Sequence, residues 1–196
     1  MMMSPAKQWW YELDGVDRVT AVCNEWDAFA LENDGSSSLA AAVVGRSLWD
    51  FVAGRETAHL LGRIMRAVRT TGRPVETPFR CDGPGVERHM LFRATALESG
   101  CLRITTRLVR EAPLDPAAPP AGAAPELGEL ISMCSWCNRI RVQDGWAEVA
   151  EAVARLALFS SAAMPAITHG MCSECLAAME PLLEDEPASA PAPCEV

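Results

Sequence analysis

The sequence predicts an α+β protein: a five-stranded antiparallel sheet that carries helices on one face, followed by a small cysteine-rich module. In residues 9–110, two strand-like stretches come first, helical stretches follow, and three more strand-like stretches come last. An antiparallel sheet covered by helices on one face accommodates that order. Two Cys-x-x-Cys pairs mark residues 127–183, which a segment rich in Ala and Pro separates from the sheet.

The composition restricts what the protein can bind. Its 196 residues are 49% hydrophobic, which is enough for one ordinary domain and a small one. A formal net charge of −9 disfavours general binding to nucleic acid or anionic lipid, and no long apolar run predicts a membrane span. Because the stretch "MMMSPAKQWWYELDG" lacks an apolar core of signal-peptide length, we expect a cytoplasmic protein.

Two segments have the composition of linkers. The stretch "EAPLDPAAPPAGAAPE", residues 111–126, is almost wholly Ala, Pro, Gly and acidic residues, which favours an extended spacer. The tail "EDEPASAPAPCEV", residues 184–196, has the same character, so we expect it to be a disordered acidic tail. We therefore expect residues 9–110 and 127–183 to fold as two separate domains.

Turn signals and apolar periodicity locate the elements of residues 9–110. Two strands in "YELDGVDRVTAVC" flank Asp14-Gly15, and Asn24 is a candidate cap for a helix in "EWDAFALEN". The stretch "RETAHLLGRIMRAVRTTG" has an apolar stripe at helical spacing and ends at Gly72, a typical helix stop. Alternation then predicts three strands, in "VETPFRCD", "ERHMLFRATALES" and "CLRITTRLVRE".

This order resembles that of the PAS sensory domain, in which a hairpin, short helices, a longer helix and a three-stranded meander follow one another. The local matches are "DGVDRVTAVCNEWDAFALEN", "VVGRSLWDFV", "RETAHLLGRIMRAVRTTG" and "PFRCDGPGVERHM". The resemblance covers residues 9–110. It implies a bacterial sensory or dimerisation domain that holds a small ligand, or none, between sheet and helices.

The sequence does not name a ligand for such a pocket. His59 is a candidate haem ligand, but histidine on a helix surface is common, and His89 on a predicted strand is an equally weak signal. Cys81 lacks the neighbours expected of a flavin photoadduct site. Aromatic side chains are candidates for the pocket wall, although their spacing also suits a plain core: Trp26, Trp49, Phe51, Phe79 and Phe92.

Four cysteines in the pattern Cys-x2-Cys-x34-Cys-x2-Cys indicate a structural zinc site with four thiolate ligands: Cys134, Cys137, Cys172 and Cys175. Between the pairs, "NRIRVQDGWAEV" predicts a hairpin around Asp144-Gly145, and "GWAEVAEAVARLALF" predicts a helix. A further helix, "CSECLAAMEPLL", begins at the second pair. The stretches "MCSWCNRIRV" and "THGMCSECL" resemble a treble-clef type zinc module, and a tail module that follows PAS or receiver domains in bacterial signalling proteins.

Two alternatives stay open at this site. His169, three residues before Cys172, could replace one thiolate or donate a hydrogen bond to a ligand sulfur. The pairs could also make the protein a thiol redox sensor or oxidoreductase, because Cys-x-x-Cys at a helix start is typical of thioredoxin-type motifs. That enzyme type uses one pair on a βαβ scaffold, so zinc is the favoured hypothesis. A module this small is expected to need the metal in order to fold.

We therefore expect a cytoplasmic bacterial signalling protein that is not an enzyme. The nucleotide-binding and nucleophile motifs of kinases, P-loop proteins and serine hydrolases are absent from the sequence. Acidic residues outnumber arginines in the cysteine module, which disfavours DNA binding. The expected partner is another signalling protein or a second copy of the PAS-like domain, with no role for nucleic acid or membrane.

Overall fold

The computed structural model describes residues 7–83, 85–113, 130–156 and 166–183. Its larger sheet has five strands, all paired antiparallel, in the order β2-β1-β5-β4-β3. This sheet confirms the predicted five-stranded antiparallel arrangement. Its strands are β1 (Gln8–Leu13), β2 (Val19–Val22), β3 (Val75–Arg80), β4 (Val86–Ala96) and β5 (Leu102–Pro113).

The last strand of this sheet is longer than the sequence predicts. β5 pairs with β4 as far as Pro113, opposite Val86, so Glu111–Pro113 belongs to the sheet and not to the linker. The rest of the predicted linker, residues 114–126, lies outside the described residues, as does the predicted tail, 184–196. We call the described residues 7–113 the sheet segment.

Three α-helices lie between β2 and β3: α1 (Trp26–Glu32), α2 (Ala40–Val43) and α3 (Arg55–Thr71). The apolar stripe of α3 is buried, with Ile64 and Val68 fully enclosed. α3 ends at Gly72, whose φ of 68° is a left-handed conformation that glycine adopts without strain. The prediction that Asn24 caps α1 is wrong: Glu25 precedes the helix, and it makes no capping bond with its side chain.

The cysteine module, which we define as the described residues 130–183, contains a second sheet. Its strands run in the order β8-β7-β6-β9, and β9 lies parallel to β6. The hairpin turn falls at Gln143-Asp144, one residue earlier than predicted, because β8 already begins at Gly145. The elements are β6 (Leu130–Cys134), β7 (Ile140–Val142), β8 (Gly145–Ala147), α4 (Val149–Leu156), β9 (Ala166–Gly170) and α5 (Ser173–Met179).

The cysteine module and the sheet segment share one hydrophobic core. Buried residues of the module, including Trp136 and Met179, belong to the same cluster as Leu60, Ile64 and Phe92 of the sheet segment. Composition marks the linker but does not reveal what packs across it, and whether residues 9–110 and 127–183 fold separately stays a prediction. Among the described helices, none has the length and apolar character needed to cross a bilayer.

Candidate metal centre

Parallel strand pairing brings the two cysteine pairs together. Cys134 is the last residue of β6, and its partner in the ladder is Gly170, the last residue of β9. Because parallel strands end at the same edge of a sheet, the turn after β6 and the start of α5 after β9 lie side by side. Cys137 belongs to that turn, while Cys172 precedes α5 and Cys175 lies in its first turn.

The four sulfurs form one compact cluster. All four lie within 4.8 Å of one another, and those of Cys137 and Cys172 are 3.7 Å apart. Four thiolates placed tetrahedrally at about 2.3 Å from a zinc ion would be separated by about 3.8 Å. The cluster is therefore the right size for one metal ion with sulfur ligands.

A tight turn arranges the first pair. The N–H of Cys134 donates to the carbonyl of Arg139 at 2.7 Å, and the N–H of Asn138 donates to the carbonyl of Cys134 at 2.9 Å. Asn138 adopts a φ of 62°, a left-handed conformation that asparagine tolerates better than most residues. The chain therefore reverses within a few residues, and the sulfurs of Cys134 and Cys137 curl toward the same point.

The second pair is arranged by the start of α5. Cys172 caps the helix, and its sulfur accepts the N–H of Cys175 at 3.4 Å. The N–H of Cys172 in turn donates to the sulfur of Cys134 at 3.4 Å, which joins the two pairs directly. Backbone N–H groups at a helix start carry partial positive charge, so they favour thiolates over thiols.

The sulfurs perturb one another's ionisation strongly. Hydrogen bonds from the thiols of Cys137 and Cys175 hold the pKa of Cys134 well below its usual range. The same contact with Cys134 raises the pKa of Cys137 to about 12, and the pKa of Cys175 is raised as well. These contacts therefore favour a thiolate at Cys134 and thiols at Cys137 and Cys175. Four thiolates require a positive ion between them, and thiolate is the form that binds metal.

His169 does not join this cluster. It lies exposed on β9, and the described metal-ligating group consists of the four cysteines. In the described part of the chain, its imidazole makes no hydrogen bond to a site sulfur. The structure therefore offers no support for His169 as a fourth ligand or as a donor to a ligand.

Trp136 ties the turn of the first pair to the sheet segment. It stands between the two cysteines, and its ring centroid lies 5.9 Å from those of both Phe79 and Phe92. Its indole N–H donates to the carbonyl of Pro78 at 2.7 Å, and its own carbonyl accepts the N–H of Arg80 at 2.8 Å. The candidate metal centre is thereby anchored on the edge strand β3.

A network of charged side chains surrounds this anchor. Arg80, whose side chain is 7% exposed, contacts Asp82 and Glu148 at 2.6 Å each. Asp82 also accepts from the side-chain amide of Asn138 at 2.9 Å, and Glu148 pairs with Arg139 at 3.0 Å. Sequence reasoning missed these residues and Trp136. The one feature of the sequence that could have indicated them is their position beside the cysteines or at the end of a strand.

A cavity of about 390 Å³ lies between the larger sheet and its helices. Of the predicted wall residues, Trp26, Phe51 and Phe79 line it. Phe92 packs against Trp136, and Trp49 donates its indole N–H to Asp17, so neither belongs to the wall. The remaining wall is mostly apolar and includes Trp9, Tyr11, Val19, Phe29, Leu48, Cys81 and Met90.

Of the three candidate ligand-binding residues in the sheet segment, one lines this cavity and two do not. Cys81 lines it, and burial raises the pKa of its thiol, so it is held as a thiol. His59 is exposed on α3 and is not part of the wall. His89 lies on β4 and contacts Glu87 at 2.6 Å. Neither histidine is placed to ligate a group inside the cavity.

The comparisons with known proteins add little. No protein-family model matches the chain, and no curated protein matches its sequence. Among solved structures, a domain of an HTR-like protein from Haloarcula marismortui is similar, with a TM-score of 0.35 and 11% sequence identity. The match covers 53% of this chain and 98% of that one. A likeness of this strength carries no conclusion about function.

Proposed function

We propose that the protein is a non-enzymatic signalling protein, in which a PAS-like sensory domain is joined to a zinc-thiolate module that contacts a partner. The sulfur cluster is the observation that carries the proposal, since four cysteines from two distant pairs lie within 4.8 Å of one another. Such a cluster is the usual ligand set of a structural zinc site. The treble-clef resemblance of the module belongs to the same proposal.

Zinc is the metal that the ligands favour. Thiolates are soft ligands, and a closed tetrahedral set of four selects zinc or an iron–sulfur cluster over hard cations such as magnesium. In the part of the chain that the structure describes, the ligand group consists of four cysteines, which fill the four positions of a tetrahedral zinc ion and leave none open for substrate. A structural zinc ion, and not a catalytic one, therefore fits the ligand set.

The PAS-like assignment rests on element order and on the cavity. A hairpin, short helices, a long helix and three strands follow one another, and together they enclose about 390 Å³ of largely apolar space. A cavity of this size is within the range of small-molecule sites. We propose that this cavity is where a small apolar or aromatic signal binds.

The proposed partner is a protein. A net charge of −9 disfavours nucleic acid and anionic membranes. On the PAS-like order of its elements, we propose a place in the cytoplasm, in a bacterial signalling pathway. The partner is a signalling protein or a second copy of the chain. Light scattering on the purified protein distinguishes a dimer from a monomer, and a salt-sensitive shift of a DNA probe would contradict the proposal.

Metal analysis of protein purified without added metal tests the zinc assignment. We expect one zinc ion per chain in the wild type and in Cys101→Ser, which removes a half-buried cysteine from the sheet segment. Cys134→Ser should reduce bound zinc at least tenfold, because three thiolates hold the ion far more weakly than four. Wild-type protein with no bound metal and four free site thiols would refute the proposal.

A further inference from the structure

The four sulfurs of the candidate metal centre differ in accessibility. Cys134 and Cys172 are 0% and 1% exposed. Cys137 and Cys175 are only partly buried, so reagents reach their sulfurs more easily. Accessibility is one of the two properties that decide which thiolate of a cluster reacts first.

The sulfurs also differ in the hydrogen bonds that hold them. Cys134 accepts the backbone N–H of Cys172, and Cys172 accepts that of Cys175. Among the described residues, no backbone N–H donates to the sulfur of Cys137 or of Cys175. An N–H bond withdraws electron density from a thiolate, so Cys137 and Cys175 keep the more nucleophilic sulfurs.

Cys137 and Cys175 differ in how firmly the rest of the fold restrains them. Cys137 follows Trp136, which is 6% exposed and fixed between Phe79 and Phe92. Cys175 lies in the first turn of α5, a helix of seven residues that ends at Met179. The sulfur of Cys175 is therefore the accessible one that is least restrained.

We propose that Cys175 is the oxidation site of the module, and that its oxidation by a hydroperoxide expels the metal. This inference rests on the proposed metal binding. In the first step the Cys175 thiolate attacks the terminal oxygen of the hydroperoxide: an S–O bond forms and the O–O bond breaks. The alkoxide or hydroxide that leaves takes a proton from solvent to become alcohol or water, and Cys175 becomes a sulfenic acid.

In the second step a neighbouring thiolate attacks the oxidised sulfur of Cys175. The S–S bond forms, the S–O bond breaks, and the hydroxide that leaves takes up a proton to become water. Every candidate thiolate lies within 4.8 Å, so no large movement precedes this step. The two sulfurs lose two electrons and the peroxide gains them. The divalent ion loses two of its four ligands and dissociates with its charge unchanged.

Expulsion of the metal also alters the contact between the module and α3. Met179 at the end of α5 and Leu183, four residues beyond it, belong to the same core cluster as Leu60 of α3. Without the metal, α5 keeps the contacts between sulfurs and N–H groups and the ion pair between Glu174 and Arg139 as its ties to the turn of the first pair. Oxidation at Cys175 thus removes the metal that joins α5 to this turn, and it changes the surface that α5 and α3 present together.

The test treats the metal-loaded full chain with one equivalent of hydrogen peroxide. A chelating dye follows metal release, and mass spectrometry of alkylated peptides maps the disulfides. We expect the first disulfide to contain Cys175 and to appear at the rate of metal release. A first disulfide between Cys134 and Cys137 would overturn the inference.

A pair of histidine variants keeps the test independent of folding failure. Cys175→His and Cys137→His each retain four metal ligands but remove one oxidisable sulfur. We expect both to bind one zinc ion, and only Cys175→His to slow release by peroxide, by about tenfold. Slowing by Cys137→His alone would overturn the inference. A wild type that binds no metal would instead refute the proposed function.

Discussion

Trp136 is one of the residues through which the candidate metal centre contacts the sheet segment. Its side chain is 6% exposed and fills the space between two phenylalanine rings, and its indole N–H has a backbone acceptor. Trp136→Ala would leave a cavity and remove the indole N–H from the carbonyl of Pro78 on β3. We expect it to reduce the free energy of unfolding by about 3–5 kcal/mol, measured by urea denaturation of metal-loaded protein.

Trp10 provides a matched control for this substitution. It lies on β1, only partly buried, where it stacks with Arg103 and not in the shared core. We expect Trp10→Ala to cost less than about 2 kcal/mol. Equal losses for the two variants would show that Trp136 does not anchor the module.

The contrast between the cysteines and Trp136 shows what a sequence reveals about single residues. The cysteines are recognisable because chelation by adjacent ligands fixes their spacing, so the pattern can be read without knowing the fold. Trp136 and Arg80 act through partners that lie more than fifty residues away in sequence. No local pattern encodes such contacts, and they become visible only when β3 and the turn after β6 are seen together.

The turn between β6 and β7 is joined to the end of β3 by a polar contact as well. Asp82 accepts from the amide of Asn138 at 2.9 Å and from Arg80 at 2.6 Å. Burial raises the pKa of Asp82, but these hydrogen bonds outweigh it, so the pKa lies below its usual value. The carboxylate therefore stabilises the folded state above the pKa of an unfolded aspartate, about 3.9, and less as pH falls below it.

Asp82→Asn should reveal this contribution as a pH-dependent difference from the wild type. We expect the variant to be about 1–2 kcal/mol less stable at pH 7, and this difference to shrink as the pH falls below about 4. Urea denaturation at a series of pH values measures this difference in the free energy of unfolding. Proton uptake by the cysteines is the same in both proteins, so it cancels from the difference.

Asp50→Asn is the control, since Asp50 forms an exposed ion pair with Arg46 on the surface. We expect it to cost less than about 0.5 kcal/mol at every pH. A pH-independent loss in Asp82→Asn would mean that the contact acts through shape and not through the charge of the carboxylate.

At the level of helices and strands, the sequence predicts elements that have local signals better than it predicts the pairing of distant strands. α3 and the five strands of the larger sheet follow from periodicity and turn residues, which lie within each element. β9 was not predicted, because it is a short strand whose only described ladder is with β6, a parallel partner far back in the chain. The parallel pairing of β6 with β9 also places the two Cys-x-x-Cys motifs side by side. The sequence therefore predicted the four ligands but not the strand pairing that brings them together.

Because the core is shared, we expect the stability of the sheet segment to depend on the proposed metal. Cys134, Cys172 and Trp136 pack in one cluster with Leu60, Ile64 and Val68 of α3. A metal bound only by the folded state stabilises it by about 4 kcal/mol when its free concentration is a thousandfold above the dissociation constant. Because α3 and β3 contact the module, part of that free energy should reach them.

Hydrogen exchange before and after removal of the metal with a strong chelator measures how far this stabilisation extends. We expect faster exchange in the module and also in α3 and β3, which contact it, with a smaller change in β1 and β2. The strand order explains the gradient, since β3 and β2 form opposite edges of the larger sheet. Exchange that rises in the module alone would show that the two parts fold independently, as composition alone suggests. A uniform rise would show that the metal controls the whole fold as one cooperative unit.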